Sequence, residues 1–146
     1  TSYKALSDKL IERRIKDPSI SDVSSLVKEI RESKLPNYNQ LGNAGSFFKN
    51  PVLKKKNFEK ITNKYSSMPF YKMSENEYKL PAAWLIEKCG FKDICENQVG
   101  VYKNQSLVII NKGGATGSDI YNFSQKIKQE VKNKFDILLE EEVNII

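Results

Sequence analysis

Between Pro18 and Pro36 the apolar residues Val23, Leu26, Val27 and Ile30 recur at three- and four-residue intervals, which places them along one face of a helix. Ser21 or Asp22 is available as its N-cap, and Pro36 ends it by pushing the preceding residue out of helical geometry. Leu6, Leu10 and Ile11 repeat the pattern between Tyr3 and Ile15. Phe58, Ile61 and Tyr65 mark a short basic helix. Pro81 and Gly90 bracket a compact helix carrying Trp84, Leu85 and Ile86. Beyond Gly113, Gly114 and Gly117, with Ser118 as cap, Ile120, Phe123, Ile127 and Val131 line a longer one. Strands are predicted over Phe47 to Leu53, and over Val99 to Tyr102 and Leu107 to Asn111 as a hairpin around the Lys103 to Ser106 turn. Ile137 to Ile145 reads as a closing strand whose apolar odd positions are interrupted at Glu141. No repeat or low-complexity linker breaks this order, which predicts one α+β domain over residues 1–146, a mostly antiparallel sheet packed against several helices.

Chemistry concentrates in the stretch Leu41 to Val52, LGNAGSFFKNPV. Gly42 and Gly45 free the backbone for close approach, Ser46 offers a lone hydroxyl, two phenylalanines can anchor it, and Lys49 and Asn50 add charge and hydrogen bonds. The stretch reads either as a catalytic loop or as a glycine turn leading into a Phe-rich strand. With no histidine anywhere in the chain, Ser-His-Asp and Cys-His mechanisms within it are excluded. Ser46 then has no base to make it a nucleophile, but a hydroxyl can still protonate a strongly basic carbanion or enolate within reach. The cluster NKGGATGSD lacks the Lys-Ser/Thr ending of a phosphate loop and reads as a strand-to-helix connection.

Composition narrows the classes further. The 146 residues, 39% hydrophobic, suffice for a real core, and no apolar run approaches the ~18 residues of a membrane span. Cys89 and Cys95, without histidine, make a poor metal site and no disulfide framework; Cys89 is read as a core thiol. The net charge of +6 raises nucleic acid as a partner, yet no recognition motif accompanies the Lys54 to Lys56 run, and a basic surface equally suits an anionic small molecule.

Five ordered blocks carry a resemblance: SKLP at Ser33 to Pro36, the glycine stretch itself, KLPAAWLIEKCGFK at Lys79 to Lys92, LVIINKGGATGSDI and LLEEEVNII. Together they resemble the substrate domain of the UDP-N-acetylenolpyruvoylglucosamine reductase family of bacterial peptidoglycan synthesis. The resemblance implies a cytoplasmic, FAD- and NADPH-dependent oxidoreductase acting on UDP-N-acetylglucosamine enolpyruvate. It also implies that FAD-binding domains precede this region in the intact enzyme. On that reading this chain alone is inactive and retains no cofactor, and its partners include neither nucleic acid nor membrane.

Residue by residue, the resemblance makes Ser46 the proton donor to the reduced enolpyruvyl group and Glu142 an assisting acid or stabiliser. It places Lys34, Asn50, Tyr71, Lys92 and Gln105 around the UDP-sugar. Three positions depart from the family pattern: Asp93 stands where glycine is usual, Glu141 where proline is frequent, and Asn144 where arginine is common. The rival readings are a stand-alone UDP-sugar-binding module and a basic nucleic-acid-binding domain.

Overall fold

A computed structural model describes residues 4–146; Tyr3, with which the sequence reading opens the first helix, lies outside the described residues. Helices α1 (Lys4–Glu12) and α2 (Ile20–Lys34) pack on each other through Leu6, Leu26 and Ile30, a small core of their own. Arg13 and Lys9 of the α1 end both pair with Glu29 of α2. The α2 cap is Ser19, not Ser21 or Asp22: its hydroxyl accepts the Asp22 N–H at 3.2 Å while the Asp22 carboxylate accepts the Ser19 N–H at 2.9 Å. That reciprocal capping box satisfies two otherwise orphaned donors, which a lone hydroxyl further in cannot do.

Strand β1 (Gly42–Ser46) occupies the glycine stretch, so the predicted strand over Phe47 to Leu53 is displaced toward the N-terminus. Between Asn43 and Ser46 the register against its partner shifts, at the point where Gly45 has φ +75° and donates its N–H to the Asn43 side chain at 3.1 Å. Residues 47–51 then leave the ladder, Pro51 having no N–H to give, and β2 (Val52–Lys54) starts a second sheet. Helix α3 (Lys55–Thr62) follows, burying Phe58 and Ile61.

The second sheet is completed by two strands the apolar pattern does not show, β3 (Tyr71–Lys72) and β4 (Glu77–Lys79), in the order β2-β4-β3. Helix α4 (Ala82–Lys88) runs from Pro81 toward Gly90 as the bracket predicts. The larger sheet has the order β1-β7-β6-β5, with β5 (Cys95–Glu96), β6 (Val99–Tyr102) and β7 (Gln105–Asn111), all neighbours antiparallel. The predicted hairpin is there, but tighter: Tyr102 pairs with Gln105, so Gln105 and Ser106 belong to β7 and only Lys103 and Asn104 turn.

Helix α5 (Gly117–Phe135) lays Phe123, Ile127, Val131 and Phe135 on the core. Its cap is Thr116 rather than Ser118, because Asp119 three residues on closes a capping box with Thr116. The main core joins Phe47, Phe48, Leu80, Leu85, Ile86, Val101, Ile127 and Leu139. Cys89 is half-buried against it as expected, and burial pushes its thiol pKa up. Among the described residues no helix is long and apolar enough to cross a membrane.

The closing strand over Ile137 to Ile145 is not formed. Phe135, Ile137 and Leu139 are buried and Leu138 is exposed, so the period-two pattern is real. It meets no ladder, only one antiparallel bridge between Phe48 and Glu141. Burial alternation follows from an extended backbone lying on a core and does not require a neighbouring strand.

Gly100 of β6 is held against the backbone of the preceding turn. A Cβ there would stand 2.6 Å from the Ile94 carbonyl oxygen, which already accepts the Val101 N–H at 2.8 Å. Gly100→Ala is expected to cost about 1–3 kcal/mol by overpacking. Urea denaturation checks this; unchanged stability would show that the turn and β6 are not packed this closely.

Candidate functional site

Ser46 ends β1, half-buried, with Val108 of β7 as its Cα partner. The two residues after it are its anchor: Phe47 and Phe48 are buried with rings in edge contact at 5.1 Å, and the Phe47 N–H donates to the Leu107 carbonyl at 2.8 Å. Among the described residues none takes a hydrogen bond from the Ser46 hydroxyl. A donor on a fixed strand end with no internal acceptor is free to serve a ligand.

The acidic closing segment runs antiparallel to this anchor. The Lys49 N–H donates to the Glu140 carbonyl at 2.8 Å and the Glu142 N–H to the Phe47 carbonyl at 2.9 Å. Glu142 is therefore bonded to the residue that follows Ser46, and its side chain is exposed. The Lys49 ammonium pairs with Glu140, and its pKa is raised by that hydrogen bond and charge and, further off, by the charge of Glu142. Glu141 points inward to Lys128 and Gln125 of α5. Burial alone would push its carboxyl up, but hydrogen bonds from Lys128, the backbone and Gln125 outweigh that and hold it below the usual range.

Three clefts converge on β1, and Ala44 lines all of them. One of about 810 Å³ lies between the end of α2 and β1, walled by Arg31, Pro36, Tyr38, Asn43 and Gly45. Another of about 700 Å³ is apolar, walled by Phe47, Ile120, Tyr121 and Val143. A smaller one of about 270 Å³ touches Gly42, Phe47 and Asn111. Gly45 and Phe47, the residues on either side of Ser46, each line a cleft.

Lys34 is exposed at the last position of α2, adjoining the larger cleft through Leu35. Tyr71 lies on the edge of the small sheet, 63% exposed, in register with Lys79, which is itself in register with Val52. Cross-strand partners share a face, so Tyr71 and Lys79 present a phenol and an ammonium together. Asn50 is committed in part: its side-chain oxygen accepts the Ala82 N–H at 2.8 Å and so caps α4, where Pro81 has no side chain to do it. The two donor hydrogens of that amide are not used by this bond.

Glu87 links Lys92 to Ser106, the strand neighbour of Gln105. One Glu87 oxygen is 3.6 Å from the Lys92 ammonium; the other accepts the hydroxyl of buried Ser106 at 2.9 Å, the residue after Gln105. Asp93, at the position where the resemblance expects glycine, has φ +59°, the left-handed region that glycine occupies without cost. The structure thus sets Glu142 against the backbone of the residue after Ser46, and brings Lys92, through Glu87, to the residue after Gln105, without a side-chain contact inside either pair. It shows no direct contact between either pair and Lys34 or Tyr71.

Two residues, Lys79 and Arg31, escaped the sequence reading, and a third, Lys49, was read only in part. Lys79 becomes visible only through strand register. Lys49 was noted for its charge but not for its two acidic neighbours across the bridge. Arg31 had a signal, since it stands three residues before Lys34 on the same helix.

A family described as the C-terminal domain of UDP-N-acetylenolpyruvoylglucosamine reductase matches residues 36–146. The UDP-N-acetylenolpyruvoylglucosamine reductase of Flavobacterium johnsoniae is 49% identical over 146 residues, covering 100% of this chain and 43% of its own length. That of Amoebophilus asiaticus is 44% identical with the same coverage, and that of Pseudomonas aeruginosa 38% identical over 98% of this chain and 42% of its own. The chain therefore spans a little over two-fifths of the length of these relatives. With the family match over residues 36–146 and relatives 44–49% identical over the whole chain, the chain belongs to the UDP-N-acetylenolpyruvoylglucosamine reductase family, of which it carries the C-terminal domain.

Proposed function

We propose that this chain is the substrate-holding and proton-donating part of a cytoplasmic reductase that converts UDP-N-acetylglucosamine enolpyruvate to UDP-N-acetylmuramate for peptidoglycan. The observation that carries the reading is the juxtaposition at β1: an unengaged Ser46 hydroxyl, fixed by two buried phenylalanines, beside a segment that brings up Glu142. FAD and NADPH, bound largely by preceding domains of the full-length protein, would supply the hydride. The apolar wall of Ala44, Phe47, Ile120 and Tyr121 fits one face of a flat aromatic ring, and these are the residues of this chain that would meet a flavin.

The reaction adds a hydride and a proton across the enolpyruvyl double bond. Once one carbon has accepted hydride, its neighbour bears the negative charge of an enolate, a base strong enough to take the Ser46 hydroxyl proton. Glu142, exposed on the segment whose backbone is bonded to Phe47, assists as an acid or by electrostatic support. Lys34 and Lys92 supply point charges to the diphosphate, and Tyr71, Gln105 and the free donors of Asn50 orient uracil and sugar. Lys79, beside Tyr71, adds a third cation to that set.

Calorimetry of UDP-N-acetylglucosamine enolpyruvate binding to the full-length protein tests the substrate assignment. Lys34→Ala with Lys92→Ala is expected to weaken binding about 100-fold, about tenfold for each charge-assisted contact, and to flatten its salt dependence. Unchanged affinity in the double variant would move the diphosphate elsewhere.

A further inference from the structure

Glu140, Glu141 and Glu142 are chemically alike, so something other than side-chain type must decide which of them faces the site. In an extended segment successive side chains point to opposite faces, and a slip of one residue exchanges the faces. Here that slip is opposed by apolar burial, since it would bring Ile137 and Leu139 to the surface. A slip of two residues keeps the faces and escapes that control. Backbone pairing is too sparse to forbid it, being the single Phe48–Glu141 bridge with its two hydrogen bonds.

We propose that the Glu141–Lys128 pair is the register lock of the closing segment, and that Glu141 is the positioning residue for Glu142; the inference rests on the reading of Glu142 as the site carboxylate. The Lys128 ammonium reaches the two Glu141 oxygens at 2.7 and 2.9 Å, and Gln125, one turn earlier on α5, donates to the same carboxylate at 3.0 Å. Both partners are largely withdrawn from water, with side chains 17% and 19% exposed. A two-residue slip would set Leu139 or Val143 opposite Lys128 and leave its ammonium without a carboxylate, a costly state for a withdrawn charge. On the other face Lys49 holds Glu140, so lysines on opposite sides sort the three glutamates and leave Glu142 outward beside the Ser46 anchor.

The test uses the full-length reductase and follows two readouts, reoxidation of the reduced flavin by the enolpyruvyl substrate and hydrogen exchange at the Glu142 amide. Glu141→Ala is expected to slow reoxidation about 10- to 100-fold with substrate KM and NADPH-driven flavin reduction unchanged, and to unprotect the Glu142 amide. The swapped pair Glu141→Lys with Lys128→Glu is expected to restore both. Should Glu141→Ala not fold, the swapped pair carries the test alone: wild-type rate and protection support the lock, and slow, unprotected behaviour overturns it. Glu142→Gln separates the two levels. If it leaves reoxidation untouched, the reading of Glu142 fails; if it slows reoxidation while Glu141→Ala does not, the lock fails and the reading stands.

Discussion

Ser46→Ala in the full-length reductase is expected to slow reoxidation of the reduced flavin by UDP-N-acetylglucosamine enolpyruvate about 100- to 10,000-fold, the range for losing one positioned proton donor. The other half-reaction, flavin reduction by NADPH, delivers no proton to the enolpyruvyl carbon and is expected to stay near the wild-type rate. The substitution removes a hydroxyl that makes no hydrogen bond within the described residues, so the fold has nothing to lose with it. Stopped-flow measurement of the two half-reactions separately reads the split. Slow reduction with fast reoxidation would remove Ser46 from the role assigned to it.

The second large effect is on stability. Phe48 is 1% exposed, lies against Phe47 and forms the bridge that receives Glu141. Truncation to alanine leaves a cavity in the main core and is expected to cost about 3–5 kcal/mol. Leu138→Ala is the contrast: with Leu138 68% exposed on the same closing segment, the loss should stay within about 0.5 kcal/mol. Urea denaturation of both variants decides. Equal losses would mean that the closing segment does not lie on the core as described.

The helices were legible because each buries an apolar stripe with its own periodicity, Val23 to Ile30 and Ile120 to Val131 most clearly. Two caps lie two or three residues before the positions expected, Ser21 or Asp22 and Ser118: neither hydroxyl has the acid three residues on that Ser19 and Thr116 possess, and Asp22 is itself that acid. The hairpin of β6 and β7 was legible from two apolar runs around a polar turn. Strands β3, β4 and β5 were not, being two or three residues long and exposed or half-exposed, and specified by what they pair with rather than by their own pattern. In the same way Gly42 to Ser46 carries no strand signature and is drawn into the sheet by β7.

At the site, Ser46 was conspicuous from the residues around it, whereas Glu142 came only from the resemblance. No local pattern distinguishes the last of three glutamates from its neighbours; the distinction lies in Lys49 and Lys128, which are remote in sequence. The pairing of Tyr71 with Lys79 is likewise a property of register. The cap that Asn50 places on α4 shows a residue singled out for substrate also serving the fold, a double use that spacing along the chain does not reveal.

The central claim, that Ser46 faces the reacting carbon of a UDP-sugar held by this chain, is tested most directly by a crystal structure of the full-length protein with UDP-N-acetylglucosamine enolpyruvate bound. The account predicts the enolpyruvyl group against β1, with the Ser46 oxygen within about 3.5 Å of the carbon to be protonated and the diphosphate near Lys34 or Lys92. A substrate bound with its enolpyruvyl group out of reach of Ser46, and its diphosphate on neither lysine, would contradict it.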